Sequence, residues 1–191
     1  MAETSLGTLS STKRHGVVAP VPEALYHVAR DGRKYELING ELIMSPAGLK
    51  HEQIGAELLF LIRSFLLQCP IGKVFGSSAG YQLAENVVLS PDVSFVRTER
   101  LPGGEVPETF GQFAPDLAVE IISPHDSPAL TEAKVQLYLE HGAQLVWVIN
   151  PRLKQALVHR ADGSVGVVES DSALDGEAVL PGFICRLTDL L

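Results

Sequence analysis

Two acidic side chains in short apolar segments are the residues of this chain whose setting calls for a chemical partner. Glu120 lies in the middle of residues 115–123, a largely apolar run next to prolines that predicts a fully buried strand. Removing the hydration of a carboxylate there costs several kcal/mol, which is comparable to the net stability of a whole domain. We therefore expect Glu120 to be protonated, ion-paired or bound to a metal.

A second acid and a lysine have positions that bring them towards Glu120. Asp92 lies in another predicted strand, residues 89–97, whose alternation sends Val93 and Phe95 to one face and Asp92 to the other. Lys134 belongs to a helix that directly follows the Glu120 strand, and a β–α connection returns that helix over the sheet. Two strand acids with a lysine nearby indicate a divalent-metal site with a cation beside it.

Carboxylate oxygens are the ligands that Mg²⁺ prefers, and this ion needs neither histidine nor cysteine. Metal and ammonium together lower the cost of forming hydroxide and offset the charge that builds on a phosphate under attack. The residue types therefore fit metal-assisted hydrolysis of a phosphodiester.

Composition indicates one globular domain. The chain has 191 residues with 46% hydrophobic and 20% charged content, and we expect a flexible tail at 1–20 and a single domain at 21–191. No apolar run approaches the roughly 20 residues of a membrane span, and the first residues carry no apolar signal core, so we expect a cytoplasmic protein without a membrane partner. Cys69 and Cys185 have no zinc spacing and predict reduced, structural thiols.

The net charge of −8 argues against a simple nucleic-acid binder. Neutralising phosphates requires clustered lysine and arginine, whereas the 15 basic residues of this chain are scattered. Bound divalent ions would add positive charge inside an acidic cleft. An acidic chain can therefore still act on nucleic acid at a metal site.

Apolar periodicity and turn residues predict an α/β domain whose central order is helix, three strands, helix, strand. Asn39-Gly40 predicts a tight hairpin turn, and we expect the strands on either side of the second main helix to be parallel neighbours. The predicted elements are a helix at 21–30, a hairpin at 35–44, a helix at 51–68, strands at 73–83, 89–97 and 116–122, a helix at 128–141, a strand at 144–150, and an antiparallel extension with strands at 155–160, 165–169 and 179–187.

Several of these segments resemble the Uma-two family of putative restriction endonucleases, and the resemblance runs from about residue 20 to the end. They are Tyr35–Leu42, Ser45-Pro46, His51, Pro91–Val93, Pro115–Pro124, Lys134 with Tyr138 and Gly142, Val146–Val148 and Leu180–Phe183. That family is assigned to the PD-(D/E)XK nuclease superfamily. The resemblance implies a restriction-endonuclease-like core and a Mg²⁺- or Mn²⁺-dependent endonuclease that hydrolyses DNA.

The resemblance also implies site residues. Asp92 and Glu120 would be metal ligands, Lys134 the catalytic lysine, and Glu36 of the hairpin an additional acid that completes the shell of the ion. The superfamily usually has its lysine two residues after the strand glutamate, where this chain has Ile122. The role therefore passes to Lys134 on the following helix.

We also expect a homodimer. A small acidic domain offers little grip on a duplex, and two paired sites would supply both a footprint and cleavage of both strands. The extension from Gln155 to Leu187 carries apolar residues in alternation, more than a lone hairpin usually leaves in water. These are Leu157, Val165, Val167, Val179 and Phe183.

Each assignment has a simpler alternative. In this alternative, Glu120 and Lys134 are partners in an internal salt bridge without metal, and Asp92 is a turn residue at the entry of a strand. Glu36 and Glu41 then belong to a solvated face of the hairpin, and His51 is a surface or capping group. The protein is then an inactive nuclease-fold module that binds nucleic acid or a protein partner. An open cleft around Asp92, Glu120 and Lys134 favours the enzyme, and a closed ion pair favours the module.

Overall fold

The structure is a computed structural model, and it describes residues 35–44, 48–124 and 126–191. The predicted helix at 21–30 and the predicted tail lie outside the described residues. The strands are β1 (Tyr35–Ile38), β2 (Glu41–Met44), β3 (Gly72–Gly76), β4 (Tyr81–Ala84), β5 (Val87–Leu89), β6 (Val93–Arg97), β7 (Leu117–Ile121), β8 (Leu145–Asn150), β9 (Gln155–Arg160), β10 (Val165–Glu169), β11 (Ala173–Asp175) and β12 (Ile184–Arg186). The helices are α1 (Leu49–Gln68) and α2 (Pro128–Glu140).

A six-stranded sheet in the order β10-β9-β8-β7-β6-β3 forms the centre of the fold. Strands β7 and β8 are parallel and are joined through α2, while every other neighbouring pair of this sheet is antiparallel. The α/β class and the parallel pairing around the second helix are therefore confirmed. The predicted order of helix, three strands, helix, strand holds for the elements of this sheet, as α1, β3, β6, β7, α2 and β8.

A second sheet, which the sequence did not predict, has the order β2-β1-β5-β4. The strand predicted at 73–83 is two strands in different sheets, because the small residues Ser77 to Gly80 let the chain turn after β3. The strand predicted at 89–97 is likewise divided between β5 and β6. Pro91 lies in that gap, and a proline has no N–H to donate to a sheet ladder.

The hairpin between β1 and β2 forms at the predicted dipeptide. Asn39 has φ of 50° and Gly40 has φ of 87°, so both central residues of the turn are in the left-handed region. Such a turn matches the twist of the flanking strands and tolerates asparagine and glycine best. It fixes the register in which Glu36 pairs with Ile43.

The six-stranded sheet is covered on both faces. On one face α1 buries Ile54, Leu58, Ile62 and Leu66 at helical spacing, in one core cluster with residues of β6, β7 and β8. On the other face α2 and the four-stranded sheet pack together, and their shared core contains Val135, Tyr138, Ile38, Val87, Leu89, Ala118, Val146 and Val148. Burying each such aliphatic side chain stabilises the fold by about 1.5–3 kcal/mol.

The C-terminal segment differs from the single predicted strand at 179–187. Only Ile184–Arg186 is a strand, and it pairs with β11. The preceding Pro181-Gly182 turn, with Gly182 at φ of 88°, interrupts any longer strand. Phe183 is buried and packs against Trp147, with ring centroids 6.4 Å apart, so this segment closes the α1 face of the sheet.

Cys69 and Cys185 are both free thiols, as predicted from their spacing. Among the helices of the described residues, none combines the length and the apolar character needed to cross a bilayer.

Candidate active site

Glu120 and Lys134 meet in the layer between the six-stranded sheet and the four-stranded sheet. Glu120 lies in β7 and Lys134 on α2, and the Lys134 ammonium donates to Glu120 Oε2 at 2.5 Å. It also donates to Glu36 Oε2 at 3.0 Å. Glu36, Glu120 and Lys134 are 1%, 7% and 7% exposed, so this is a closed, buried ion cluster.

Local residues set the start and the end of α2, the helix that carries Lys134. The helix begins after Ser127, whose main-chain oxygen accepts hydrogen bonds from the amides of Leu130 and Thr131. The Ser127 side chain makes no capping hydrogen bond, and Pro128 occupies the first turn, where its missing N–H has no intrahelical partner to lose. The helix ends before Gly142, which has φ of 102°.

Glu36 is a buried member of the cluster and not part of a solvated hairpin face. Its Oε1 accepts a hydrogen bond of 2.8 Å from the Ser90 amide, and its Oε2 accepts the Lys134 bond. Glu41, across the same hairpin, is exposed. The solvated-face alternative is therefore wrong for Glu36 and right for Glu41.

Asp92 lies directly before β6, on the connection that leaves the four-stranded sheet. Val93 pairs with Val119 in antiparallel register, so the next position outward places Asp92 opposite Glu120. Asp92 Oδ2 accepts the Ile121 amide at 2.8 Å, and it also lies 2.9 Å from His51 Nε2. Asp92 thus has the backbone bond expected of a strand-entry residue together with a histidine partner.

His51 and Tyr138 are site residues to which the sequence analysis assigned no role in the site. His51 is neither a surface group nor a cap, because its side chain is only 11% exposed and it contacts Asp92 from the first turn of α1. Tyr138 is buried in the core, and its hydroxyl donates to Glu120 Oε1 at 2.9 Å. The spacing of Lys134 and Tyr138, four residues apart on one helix face, was the available signal.

Ile122 occupies the position where the superfamily carries its lysine. Its amide donates to the main-chain oxygen of Ile149, and its side chain packs in the core cluster shared by α2 and the four-stranded sheet. Position 122 therefore supplies no cation, and the ammonium that Glu120 contacts in the described part of the chain comes from Lys134.

Burial dominates the protonation of the cluster. It raises the pKa of Glu120 to about 7, against the attraction of Lys134, and the charges of Asp92 and Glu36 raise it further. Burial by itself lowers the pKa of Lys134, but attraction to Glu120 and Glu36 outweighs burial and places that pKa above its ordinary value. Burial also raises the pKa of Tyr138 well above its ordinary value. Lys134 is thus a cation, and Tyr138 a neutral donor, near neutral pH.

The donor set suits a hard cation, although it is not arranged around one. Within the residues that the structure describes, no group of three or more His, Cys, Asp or Glu side chains has the arrangement of a metal site. Asp92, Glu36 and Glu120 nevertheless offer hard oxygen atoms; the Lys134 ammonium contacts Glu36 and Glu120, and His51 contacts Asp92. A carboxylate has about four lone-pair positions, and Glu120 uses two of them for Lys134 and Tyr138.

Comparison with known proteins gives a family and a fold. The model of the family Uma2, described as putative restriction endonuclease, matches residues 22–188. The chain is also similar to the crystal structure of a putative nuclease belonging to DUF820 from Anabaena variabilis ATCC 29413, with 26% sequence identity and a TM-score of 0.75. That similarity covers 83% of this chain and 90% of the other. No curated protein matches the chain.

Proposed function

Because the chain belongs to the Uma2 family of putative restriction endonucleases, we propose that it is a divalent-metal-dependent endonuclease that hydrolyses phosphodiester bonds of DNA. The solved structure to which it is similar is itself described as a putative nuclease, which supports a nuclease-like role. The observation that carries the proposal is the excess of acid at one place: Glu36 and Glu120 share the Lys134 ammonium, and Asp92 lies opposite Glu120 in the register of the sheet.

The surplus of negative charge favours a cation at this position. With three carboxylates and one ammonium, the cluster becomes strongly anionic once Glu120 ionises, and a divalent ion would neutralise it. We assign Asp92 and Glu120 as ligands of Mg²⁺ or Mn²⁺, with Glu36 completing the set. When bound, the ion lowers the pKa of a coordinated water and stabilises charge on the phosphate.

The remaining residues hold the ligands and supply positive charge. Lys134 stays protonated beside Glu120, so its ammonium is placed to orient the attacking water and to stabilise the scissile phosphate. Tyr138 fixes one Glu120 oxygen, and His51 fixes Asp92. Lys134 is the catalytic residue of this set, and Tyr138 and His51 are positioning residues.

The test measures cleavage of plasmid and linear DNA in Mg²⁺ by the purified protein and by Glu120→Gln. Lys134→Ala should lose most hydrolysis and should bind Mg²⁺ at least as tightly as wild type, since the ammonium is not a ligand and competes with the ion for Glu36 and Glu120. Glu36→Gln should weaken Mg²⁺ binding in calorimetry, whereas Glu41→Gln on the exposed side of the same hairpin is the matched control. Equal cleavage by wild type and Glu120→Gln would reject the assigned site.

A second candidate function has one observation in its favour. The Lys134 ammonium closes the space between Glu36 and Glu120, which is the arrangement expected of a catalytically inactive nuclease-fold module that binds nucleic acid or a protein partner. Calorimetry separates the two candidates. Absence of Mg²⁺ and Mn²⁺ binding at millimolar concentration, together with binding of DNA, would favour the module over the enzyme.

We further propose that the protein works as a homodimer. Fewer apolar residues of the C-terminal extension support a dimer than the sequence indicated. Val179 and Phe183 are buried in the α1-face core of the same chain and offer no surface to a partner. Val165 and Val167 remain 56% and 58% exposed on the edge strand β10. Light scattering should give twice the chain mass of 20.6 kDa, and the mass of a monomer at micromolar concentration would reject the dimer.

A further inference from the structure

A cavity of about 250 Å³ lies beyond the carboxyl ends of the parallel strands β7 and β8. Its apolar lining includes Ile122, Val148 and Leu157, and the first turns of α2 close one side. Asn150, Gln155 and His159 add polar groups to the lining. The mixture of an apolar lining with a few polar groups is typical of a site for a small organic group.

His159 is the aromatic side chain of the cavity lining. The residue is 7% exposed, and neither ring nitrogen makes a hydrogen bond within the described part of the chain. The ring nitrogens are not sealed from solvent, so water satisfies them in the free protein. A ligand in the cavity would exchange that water for a direct hydrogen bond to the ring.

Two side-chain amides of the lining also have unused capacity. Asn150 Oδ1 accepts the amides of Arg152 and Leu153 in the turn after β8, so its NH₂ group is left to donate. Gln155, at the start of β9, makes no side-chain hydrogen bond with any other described residue. Together with His159 these amides offer both donors and acceptors to one ligand.

The cavity shares walls with the candidate active site. Val148 is the partner of Glu120 in the parallel register of β7 and β8, and Ile122 follows Glu120 by two residues. Thr131, on the cavity side of α2, precedes Lys134 by about one helical turn. A group held in the cavity would therefore lie next to a phosphate held at Glu120 and Lys134.

We propose that this cavity receives one unpaired nucleobase of the DNA, adjacent to the phosphate that is cut; this rests on the proposed function. A nucleobase is flat, has apolar faces and carries donors and acceptors at its edge, which matches the aliphatic lining and the polar groups of Asn150, Gln155 and His159. Asp126 and Glu132 also line the cavity and would repel a phosphate, so they favour a neutral base. The preferred substrate is then single-stranded or locally unpaired DNA.

Binding measurements test the cavity without relying on hydrolysis. Fluorescence anisotropy in Ca²⁺ would compare three labelled probes: a duplex with one bulged base, the same duplex with an abasic bulge, and the fully paired duplex. The wild type should bind the bulged base about tenfold more tightly than the other two, the change expected from about one hydrogen bond or a comparable apolar contact.

Two variants remove the cavity in different ways. Leu157→Trp fills it, and His159→Phe removes the ring donor and acceptor while keeping an aromatic side chain. Both should lose the preference for the bulged base, whereas Leu67→Trp on the exposed side of α1 should keep it. His159→Phe should also unfold at an equal or higher urea concentration than wild type, so loss of its preference would not reflect loss of the fold.

Equal binding of all three probes, no saturable binding of the bulged base, or a preference that survives in His159→Phe would overturn the proposal. A preference for both bulges alike would also overturn it, since that result reports recognition of a bend. Base preference in a wild type that cuts no DNA in Mg²⁺ supports the cavity and rejects the nuclease. Cleavage without base preference rejects the cavity and leaves the nuclease.

Discussion

Replacing Lys134 by methionine tests the electrostatics of the buried cluster directly. Lys134→Met keeps the length of the side chain and removes the ammonium that Glu36 and Glu120 share. Removing one partner of a buried ion pair typically destabilises a protein by about 3–5 kcal/mol, because the remaining charge is left uncompensated. We expect a loss in that range for the metal-free protein at pH 8.

The pH dependence of this loss follows from Glu120. Its pKa is raised from 4.5 to about 7 in the folded wild type, so the stability contributed by its protonated form is present below 4.5 and is lost as the pH rises to about 7. Because each pKa unit corresponds to about 1.4 kcal/mol, the ionisation of Glu120 lowers the free energy of unfolding by on the order of 3 kcal/mol over that interval. Without Lys134 the pKa of Glu120 rises further, so the variant should keep losing stability above pH 7.

The assay is urea denaturation in EDTA at pH 5.5 and pH 8, with and without subsequent addition of Mg²⁺. The difference between wild type and Lys134→Met should be larger at pH 8 than at pH 5.5, and Mg²⁺ should reduce it. Lys73→Met, an exposed lysine on β3, is the matched control and should change stability by no more than about 0.5 kcal/mol. A loss below about 1 kcal/mol at pH 8, or the same loss at both pH values, would refute the hypothesis that Glu36 and Glu120 depend on the Lys134 ammonium for their stability in the folded protein.

Of three further predictions, two concern the cluster and one concerns Tyr81, which packs with Val96 and Leu101 elsewhere in the fold. His51→Ala should remove the side-chain partner of Asp92, lower stability by about 1–2 kcal/mol and slow DNA cleavage, and unchanged cleavage would remove His51 from the site. Mg²⁺ affinity measured by calorimetry should increase with pH until about 7 and then level off. A carboxylate ligand must lose its proton before it binds the ion, and the pKa of Glu120 is about 7. An affinity that does not change from pH 5.5 to pH 8 would contradict this. Burial raises the pKa of Tyr81 to about 12. The stability contributed by its neutral form is therefore present below pH 10 and is lost as the pH rises towards 12. The melting temperature of wild type should fall over this interval, and Tyr81→Phe should lack that fall.

Local sequence signals predicted the parts of the fold that depend on neighbouring residues. The apolar spacing of Ile54, Leu58 and Ile62 specified the buried face of α1, and Asn39-Gly40 specified the hairpin turn. The second sheet was missed for a physical reason. Alternating apolar residues show that β4 is a strand but do not identify its partner, and the pairing of β4 with β5 is decided by tertiary packing.

The residues of the candidate site were likewise predictable only in part. The buried strand glutamate and the lysine on the next helix were predictable, because an uncompensated charge in an apolar run demands a partner. The contacts of His51 with Asp92 and of Tyr138 with Glu120 were not, since histidine and tyrosine are common in half-buried positions without any function. Such contacts join elements far apart in sequence and leave no local pattern.

The connection Ser90-Pro91-Asp92 explains why two of the acids come together at all. Ser90 donates its amide to Glu36 in the four-stranded sheet, and Asp92, two residues later, accepts the Ile121 amide in the six-stranded sheet. One short segment, stiffened by Pro91, therefore ties Glu36 to Asp92, and beside it the Lys134 ammonium fills the space between Glu36 and Glu120. Since the segment is anchored at both ends, the separation of these carboxylates is set by the packing of the two sheets and not by the side chains alone. A cation that draws them together must move one sheet against the other or displace the Lys134 ammonium, and the second movement breaks fewer contacts because it leaves both sheets in place.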